Sequence, residues 1–528
     1  MADGDHSVRP RTRQARIEDP SVRACRARHV PDSLRRTARS LPATGHGHAP
    51  WVQTPGDESH IRKCRLLGLT GSTAVAVGGA SAGALPVGEA LAPSSGAAAV
   101  GLFGAYFGLV LLVAAWAWLG RAVRGPRPPG ARGMVVTLAV WAAPLVIAPP
   151  LFSRDVYSYL AQGAMVDAQI DVYAHGPDQL GGPLAAQVSP MWQDTPTPYG
   201  PLFLSFASLI ARATRAELSA GVLGMRLVAL LGVGLMVVSL VPLARRSGTP
   251  PGAALWLGAL NPLLLLHLVA GAHNDAVMLG LLGMALVAAK GRFPLLGAVL
   301  MTLAALVKAP AALGLLAVAA FWAGGLTGRY RWLRAAGAVA GVSLATTAVV
   351  TAVTGTGYGW IGALNTPVSQ HNWALTSLLG RMTASALHSA GSDLAPFALD
   401  AWRAAGLAAT AVAVLLVWLR RPRHSPVYAL GLSLIAVAVL GPAIRPWYVL
   451  WGLFPLAAAA PAGPARRVVA VASGVLALAQ LPSGLAADGL QLALAACGGL
   501  FAVVALFWAR EMSGDEVTLT AREPGRTA

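Results

Sequence analysis

Residues 133–163 read GMVVTLAVWAAPLVIAPPLFSRDVYSYLAQG, and this stretch decides the fold class. Its first part, residues 133–153, contains no charged side chain. An uncharged apolar run of about 18 residues or more can cross the hydrocarbon core of a membrane as a helix. Arg154 and Asp155 follow directly, so polar sequence begins where the predicted span ends. The stretch therefore predicts a transmembrane helix that leads into a polar segment at the membrane surface.

The rest of the composition extends this interpretation to most of the chain. Hydrophobic residues make up 55% of the sequence and charged residues 12%, with a mean hydropathy of +0.59. Soluble globular proteins carry roughly 25% charged residues, so a soluble fold is excluded. Similar apolar runs recur from about residue 66 to residue 509. We predict an all-α, polytopic integral membrane protein with about 12–14 transmembrane helices.

The formal net charge is +18, and the positions of the basic residues along the chain indicate the membrane topology. Thirteen of the 40 Lys and Arg residues lie in the first 65 positions, and most others lie in short loops between apolar runs. Basic loops mark the cytoplasmic side of a membrane protein. The 11 acidic residues between Glu89 and Asp488 fall on or near the opposite face. We therefore expect a plasma-membrane protein with both termini cytoplasmic, a polar outer face and no nucleic-acid partner.

The charge pattern also divides the chain. Residues 1–60 have the composition of a disordered basic cytoplasmic tail, 61–510 form the membrane domain, and 511–528 form a second cytoplasmic tail. A large first outer loop is expected over about 151–218. Within it, 200–217 is interpreted as a helix lying on the outer surface, because a further crossing there would place the later basic loops outside.

Asp155 is the strongest candidate for chemistry in the first outer loop. It lies about one turn beyond the predicted span, beside Arg154 and Tyr157. A carboxylate near low-dielectric surroundings has a raised pKa and suits a general base. The alternative is an exposed aspartate that pairs with Arg154.

The same loop continues with polar and aromatic side chains of the kind that bind sugars. Aromatic rings stack on the apolar faces of sugars, and carboxylates accept hydrogen bonds from hydroxyl groups. Loops of this composition are also ordinary, so both interpretations stay open. The residues concerned are Asp171, Tyr173, His175 and Tyr199.

A second polar group separates two predicted spans, 253–270 and 275–289. His273, Asn274 and Asp275 lie at this turn within HLVAGAHNDAVML. Polar residues buried at membrane depth are costly unless they have a function or a partner. The alternative is a helix N-cap provided by Asn274 or Asp275.

Lys308 interrupts an otherwise uncharged stretch and is followed closely by Pro310. Because proline breaks a helix, two short helices are expected to meet there with Lys308 near the outer face. Contact with the anionic head group of a substrate would explain the lysine, and contact with a lipid phosphate is the alternative.

Two further outer-side groups come later in the chain. The first is His371 with Asn372 in SQHNWALTS, and the second is Arg445 with Trp447 and Tyr448 in RPWYVLW. Aromatic residues are common at membrane interfaces and need no functional reason. Arg445 is a stronger indication of a binding site than these aromatic residues, because arginine suits bidentate recognition of phosphate.

Taken in order, these motifs resemble a known family over about residues 95–510. The segments SRDVYSYLAQG, IDVYAHGP, TPTPYGPLFL, NPLLLLHLVAGAHNDAVMLG, ALVKAP and RPWYVLW are similar to those of the actinobacterial polyprenol-phosphomannose-dependent α-1,6-mannosyltransferases. These are membrane glycosyltransferases of the GT-C class. The resemblance implies that 61–510 is a GT-C-like transmembrane glycosyltransferase domain with Asp155 as its catalytic residue.

The resemblance also implies substrates and site residues. Mannose would pass from polyprenyl-phosphate-mannose to a hydroxyl group of a mannan or lipomannan-type glycan or glycolipid, forming α-1,6 linkages on the extracytoplasmic face. Membrane lipid is the other expected partner. Relatives often carry paired acids where this chain reads Arg154-Asp155-Val156, so a requirement for a divalent metal stays open. The remaining polar and aromatic candidates would bind or orient the donor and acceptor.

Two other classes of function share parts of this pattern. A transporter or flippase for lipid-linked glycans would also be polytopic, but its ionisable residues would be expected near the bilayer midplane. A glycan ligase would share the architecture and use a different donor. The concentration of polar residues at one boundary favours the transferase.

Overall fold

The computed structural model describes residues 55–126, 128–365, 374–420 and 425–512, and these ranges contain helices and loops without a β-strand. The helices are α1 (Pro55–Ala82), α2 (Gly96–Val123), α3 (Ala131–Ile147), α4 (Asp155–Asp167), α5 (Gly182–Ala186), α6 (Pro190–Gln193), α7 (Pro201–Ala213), α8 (Leu218–Arg246), α9 (Pro251–Gly258), α10 (Asp275–Lys290), α11 (Pro294–Ala305), α12 (Gly314–Gly324), α13 (Arg331–Thr354), α14 (Leu375–Ser389), α15 (Ala398–Leu419), α16 (Pro426–Leu440), α17 (Val449–Ala459), α18 (Pro464–Leu478) and α19 (Gly489–Met512). A π-helix (Leu264–Ala270) lies between α9 and α10.

Five of the described helices are long and apolar enough to cross a membrane: α2, α8, α13, α15 with the short turn before it, and α19. The π-helix and α10 together meet the same test, but they are bent by 108° at the break between them. Shorter apolar helices, including α3, α11 and α16, accompany them. The prediction of an all-α, polytopic membrane protein is confirmed.

Several predicted boundaries agree closely with the helices, and two differ. Helix α1 begins at Pro55, inside the stretch assigned to the N-terminal tail. The span expected over 253–270 is divided, because Pro262 lacks an amide hydrogen and disfavours a helical conformation before it. The side chain and carbonyl of Asn261 accept the next free amide groups, including that of Leu263, and the π-helix begins at Leu264.

Close backbone contact between α1 and α2 depends on glycine. A Cβ atom added at Gly71 would lie 2.7 Å from the carbonyl oxygen of Gly108, and one added at Gly78 would lie 2.3 Å from that of Gly101. Small residues at membrane helix interfaces let the backbones approach, and packing replaces the hydrophobic driving force available in water. Larger side chains at these glycines would separate the two helices.

The helix expected over 200–217 is present as α7. Its last turn is tied to α4 by an ion pair of 2.9 Å between Arg212 and Asp167, and both side chains are exposed. Helix α8 then begins at Leu218, where Glu217 caps two free amide groups. Helices α4 and α7 thus form one packed unit over the start of α8.

Candidate active site

Asp155 begins α4, a short distance after α3 ends. Pro149 and Pro150 cannot donate backbone hydrogen bonds, so α3 stops before them. The amide of Asp155 donates to Ser153 Oγ at 3.1 Å. The carboxylate is 20% exposed, and its Oδ2 lies 3.5 Å from Nδ1 of His273. The side chain is therefore largely buried and still accessible.

Arg154 and Tyr157 do not pair with this carboxylate. Arg154 Nε donates to the carbonyl of Leu85 at 2.9 Å, and the Tyr157 hydroxyl donates to that of Ala84 at 3.0 Å. Both side chains instead anchor the start of α4 to the loop after α1. The sequence alternative in which Asp155 pairs with Arg154 is wrong.

A strained turn precedes Asp155. Phe152 is buried with a φ of 65°, which non-glycine residues seldom adopt. Its amide donates to the carbonyl of Pro482 at 2.7 Å, and its carbonyl accepts from Gln480 Nε2 at 2.7 Å. The loop between α18 and α19 therefore holds this turn through both of its backbone groups.

The polar triplet after the π-helix is fully inside the protein. Ala272 carries it on a turn with a φ of 52°, and His273, Asn274 and Asp275 are all buried. His273 Nδ1 lies 3.3 Å from the Tyr159 hydroxyl. Asn274 makes no side-chain capping bond, and its amide atoms have no hydrogen-bond partner among the described residues. The N-cap alternative is therefore excluded for Asn274.

Lys308 lies where α11 has ended and a short 3-10 turn begins, as its neighbouring proline predicts. Its Nζ donates to Asp275 Oδ2 at 2.8 Å, and Trp451 Nε1 donates to the other oxygen of Asp275. The ammonium lies 5.0 Å from the ring centre of Tyr448 and 5.7 Å from that of Tyr199. Its charge is thus balanced by a carboxylate and surrounded by aromatic rings.

Backbone pairing brings Tyr199 to this lysine. The amides of Gly200 and Leu202 donate to the carbonyls of Val307 and Leu306, respectively. A Cβ atom on Gly200 would lie 2.2 Å from the carbonyl oxygen of Leu306, so this approach requires glycine. The first outer loop and the break at Lys308 therefore form one structure.

Unlike Lys308, Arg445 forms no ion pair with a carboxylate of the described residues. Its guanidinium lies 5.7 Å from the ring centre of Trp192 and 3.9 Å from the sulfur of Met191. A half-buried arginine without a carboxylate partner is available to an anionic ligand. Trp447, two residues later, stacks on His273 with ring centres 4.1 Å apart.

These surroundings act on the carboxyl group of Asp155. Burial raises its pKa above the ordinary value of 3.8, because an anion is less stable away from water. Nearby Arg445 and Lys308 and the hydrogen bond with Ser153 oppose this effect, and Asp275 adds to it. The net direction is upward, which suits a group that accepts a proton near neutral pH.

The structure gathers eight of the predicted residues into one contiguous cluster, and the charge of Arg445 acts on it. The eight are Asp155, Tyr199, His273, Asn274, Asp275, Lys308, Trp447 and Tyr448. Tyr173 reaches this cluster through a hydrogen bond from its hydroxyl to the carbonyl of Tyr199, at 3.1 Å. Asp171 and His175 are exposed and bond within their own turn. His371 and Asn372 lie outside the described residues.

Sequence reasoning did not select four residues that the site uses. Tyr159 could have been found, since it follows Asp155 by one helical turn and shares its face of α4. Trp451 follows Tyr448 in the same way, and the two rings stack at 4.1 Å. Trp192 and Gln480 carry no such local signal, because their partners lie in distant segments.

The described residues do not bring three or more His, Cys, Asp or Glu side chains together as ligands for a metal ion. Asp155 and His273 approach each other, but Asp275 is occupied by Lys308 and Trp451.

Comparison with known proteins assigns the chain to a family. Residues 65–324 match the family described as alpha-(1->6)-mannopyranosyltransferase, N-terminal domain, and residues 376–508 match the MptB C-terminal domain. A probable alpha-(1->6)-mannopyranosyltransferase of Mycolicibacterium smegmatis is 36% identical over 79% of this chain and 83% of its own length. The chain belongs to the alpha-(1->6)-mannopyranosyltransferase family.

Other mannopyranosyltransferases of this family give the same result. The alpha-(1->6)-mannopyranosyltransferase A of Mycobacterium tuberculosis is 38% identical over 70% of this chain and 72% of its own length. The alpha-(1->6)-mannopyranosyltransferase B of Corynebacterium glutamicum is 34% identical over 74% of this chain and 72% of its length. No solved structure matches the chain. The resemblance found in the sequence motifs is thus confirmed at the level of the family.

Proposed function

We propose that the protein is an inverting mannosyltransferase of the extracytoplasmic face. It would move mannose from polyprenyl-phosphate-mannose to a hydroxyl group of a mannan or lipomannan-type acceptor and form an α-1,6 linkage. The observation that carries this proposal is the largely buried carboxylate of Asp155, which lies beside His273 and near Arg445, a cation without a carboxylate partner among the described residues. Transfer from a sugar phosphate needs a base for the acceptor hydroxyl and a cation for the leaving phosphate, and this site offers both.

The reaction is a single displacement at the anomeric carbon of mannose. Asp155 takes the proton from the acceptor 6-hydroxyl as its oxygen forms a bond to that carbon. The bond from the anomeric carbon to the phosphate oxygen breaks, and its electron pair leaves with the polyprenyl phosphate. Since a displacement inverts the configuration, an α-linked product requires a β-linked donor.

The two cations have different roles in this scheme. Arg445 faces the phosphate, because its guanidinium is not engaged by a described carboxylate, and it stabilises the charge that develops on the leaving group. Lys308 is already neutralised by Asp275. It places the rings of Tyr199 and Tyr448 around one fixed charge, and these rings suit contact with a sugar face.

The distribution of charge along the sequence supports the extracytoplasmic side of the membrane for this site. In the topology predicted from the sequence, Asp155 and the other internal acidic residues lie on the face opposite to the basic loops, and basic loops are cytoplasmic in most membrane proteins. A donor whose lipid phosphate is presented from the outer leaflet fits a site on that face.

Membranes that contain the protein should transfer labelled mannose from polyprenyl-phosphate-mannose into a glycan. The expected result is labelled product with new α-1,6 linkages, detected by mannosidase digestion and mass spectrometry. Membranes carrying the Asp155→Asn variant serve as the control, since the same helices are present without the base.

Other outcomes of this assay would overturn the proposal. Label that crosses the bilayer without entering a glycan would indicate a transporter. Incorporation only from a nucleotide-activated mannose would indicate a cytoplasmic donor and a site on the other face. Transfer of a preassembled glycan would indicate a ligase.

The pH dependence of the rate should report the raised pKa of Asp155. The base works only when it is ionised, so the initial rate should fall as the pH decreases through that raised pKa, above the ordinary carboxyl value of 3.8. Replacing Arg445 with Gln removes a cation that lowers this pKa, and the acid limb should then move to higher pH. Initial rates of mannose transfer across the acid and neutral range measure both effects.

Arg212→Gln is the matched control for this measurement. Arg212 is an exposed arginine paired with Asp167 rather than a neighbour of Asp155. Its replacement should leave the acid limb in place. A limb that moves equally in both variants would show that general surface charge, not the Arg445 guanidinium, controls the titration.

A further inference from the structure

Arg226 is a charged residue in the interior of α8 that the reaction scheme does not use. Its side chain is 3% exposed, and the described ion pairs do not include it. Its guanidinium donates three hydrogen bonds, all to backbone carbonyls. Burying a charge is costly, so three strong bonds from one side chain indicate a specific purpose.

The first two carbonyls belong to the end of α3. Arg226 Nη1 donates to Val146 at 2.6 Å and to Ala148 at 2.7 Å. In a continuing helix the Val146 carbonyl would accept from the residue four positions later, which is Pro150 and has no amide hydrogen. Arg226 supplies the missing donor at the point from which the chain runs to Asp155.

The third carbonyl belongs to the end of the π-helix. Arg226 Nη2 donates to Ala270 at 3.0 Å, directly before the turn at Ala272 whose φ is 52°. That turn delivers His273. One planar guanidinium therefore holds two segments that are far apart in sequence. The first leads to Asp155 and the second to His273, and these two side chains contact each other.

We infer that Arg226 is a positioning residue that sets the distance between Asp155 and His273. This inference rests on the proposed role of Asp155 as the base. The fork of the guanidinium reaches three carbonyls in two directions, which the single nitrogen of a lysine cannot reproduce. Loss of the fork leaves the turn before Asp155 and the turn before His273 free to move apart.

Arg226→Gln should lower kcat by about 100-fold per folded enzyme, since misplacement by about 1 Å costs that much in well-oriented reactions. The KM for polyprenyl-phosphate-mannose should stay near the wild-type value, because Arg445 and the aromatic rings are untouched. The acid limb of the residual activity should move to lower pH as water reaches Asp155. Arg226→Lys should retain more activity than Arg226→Gln.

The folded fraction is measured as the monodisperse peak in detergent, and each rate is divided by it. Arg246→Gln is the matched control, since Arg246 lies on the same helix and donates to one carbonyl, that of Val287, at 3.0 Å. It should keep wild-type kcat and pH dependence.

None of the groups that face Asp155 is itself substituted in these variants: Ser153, His273, Asp275, Lys308 and Arg445. A wild-type kcat in Arg226→Gln would overturn this inference and leave the proposed function intact. The same holds if the rate falls only in proportion to the folded fraction and the acid limb does not move. An active Asp155→Asn variant measured in parallel would overturn the proposed base, and this inference with it.

Discussion

Replacing Asp155 with Asn should lower the rate of mannose transfer by about 1,000-fold, the typical contribution of a positioned general base. Asparagine has nearly the same shape and keeps the backbone bond to Ser153, so the start of α4 should stay intact. It cannot accept the acceptor proton at neutral pH. Initial rates with labelled donor, normalised to folded protein, measure the effect.

Asp167→Asn is the matched control for this substitution. Asp167 lies at the other end of α4 and pairs with exposed Arg212. It should keep the wild-type rate, because it is not part of the cluster around His273. An Asp155→Asn enzyme that retains a tenth or more of the wild-type rate would rule out Asp155 as the base.

Asp275→Asn should destabilise the protein by about 3–5 kcal/mol, since it leaves the Lys308 ammonium buried without its counter-ion. The aromatic rings around the lysine compensate only in part. The double variant Asp275→Asn with Lys308→Met should recover most of the lost stability, because the unpaired charge is gone. Unfolding in detergent followed by tryptophan fluorescence gives the free energies.

The exposed pair of Asp167 and Arg212 provides the comparison for stability. Surface ion pairs contribute at most about 1 kcal/mol, so Asp167→Asn should have a small effect. If Asp275→Asn is as mild as Asp167→Asn, the lysine reaches water and the pair is not buried. If the double variant is less stable than Asp275→Asn, the unpaired Lys308 ammonium is not the cause of the lost stability.

Local sequence rules predicted much of this structure. The apolar runs gave the helices, Pro310 indicated the break at Lys308, and the junction after α3 indicated Asp155. Each of these features depends on residues near one another in the chain. They could be read without knowing how the helices pack.

The remaining features depend on partners that are distant in sequence. One interpretation of the sequence paired Arg154 with its neighbour Asp155, but Arg154 Nε donates to the carbonyl of Leu85. Arg226 and Gln480 are polar residues within apolar runs, and only the packed structure shows which carbonyls accept their hydrogen bonds. The balance of charge at Lys308 also required the turn at Asp275.

The strained turn at Phe152 links the two segments that match the family, so these segments are expected to evolve together. Its partners, Gln480 and Pro482, lie in the segment that matches the second family domain, whereas Asp155 lies in the segment that matches the first. Arg445 also belongs to the second segment. Neither segment therefore contains all the residues of the proposed site. A chimaera of two paralogues should therefore be active only if the turn at Phe152 from one parent fits the residues at positions 480 and 482 from the other.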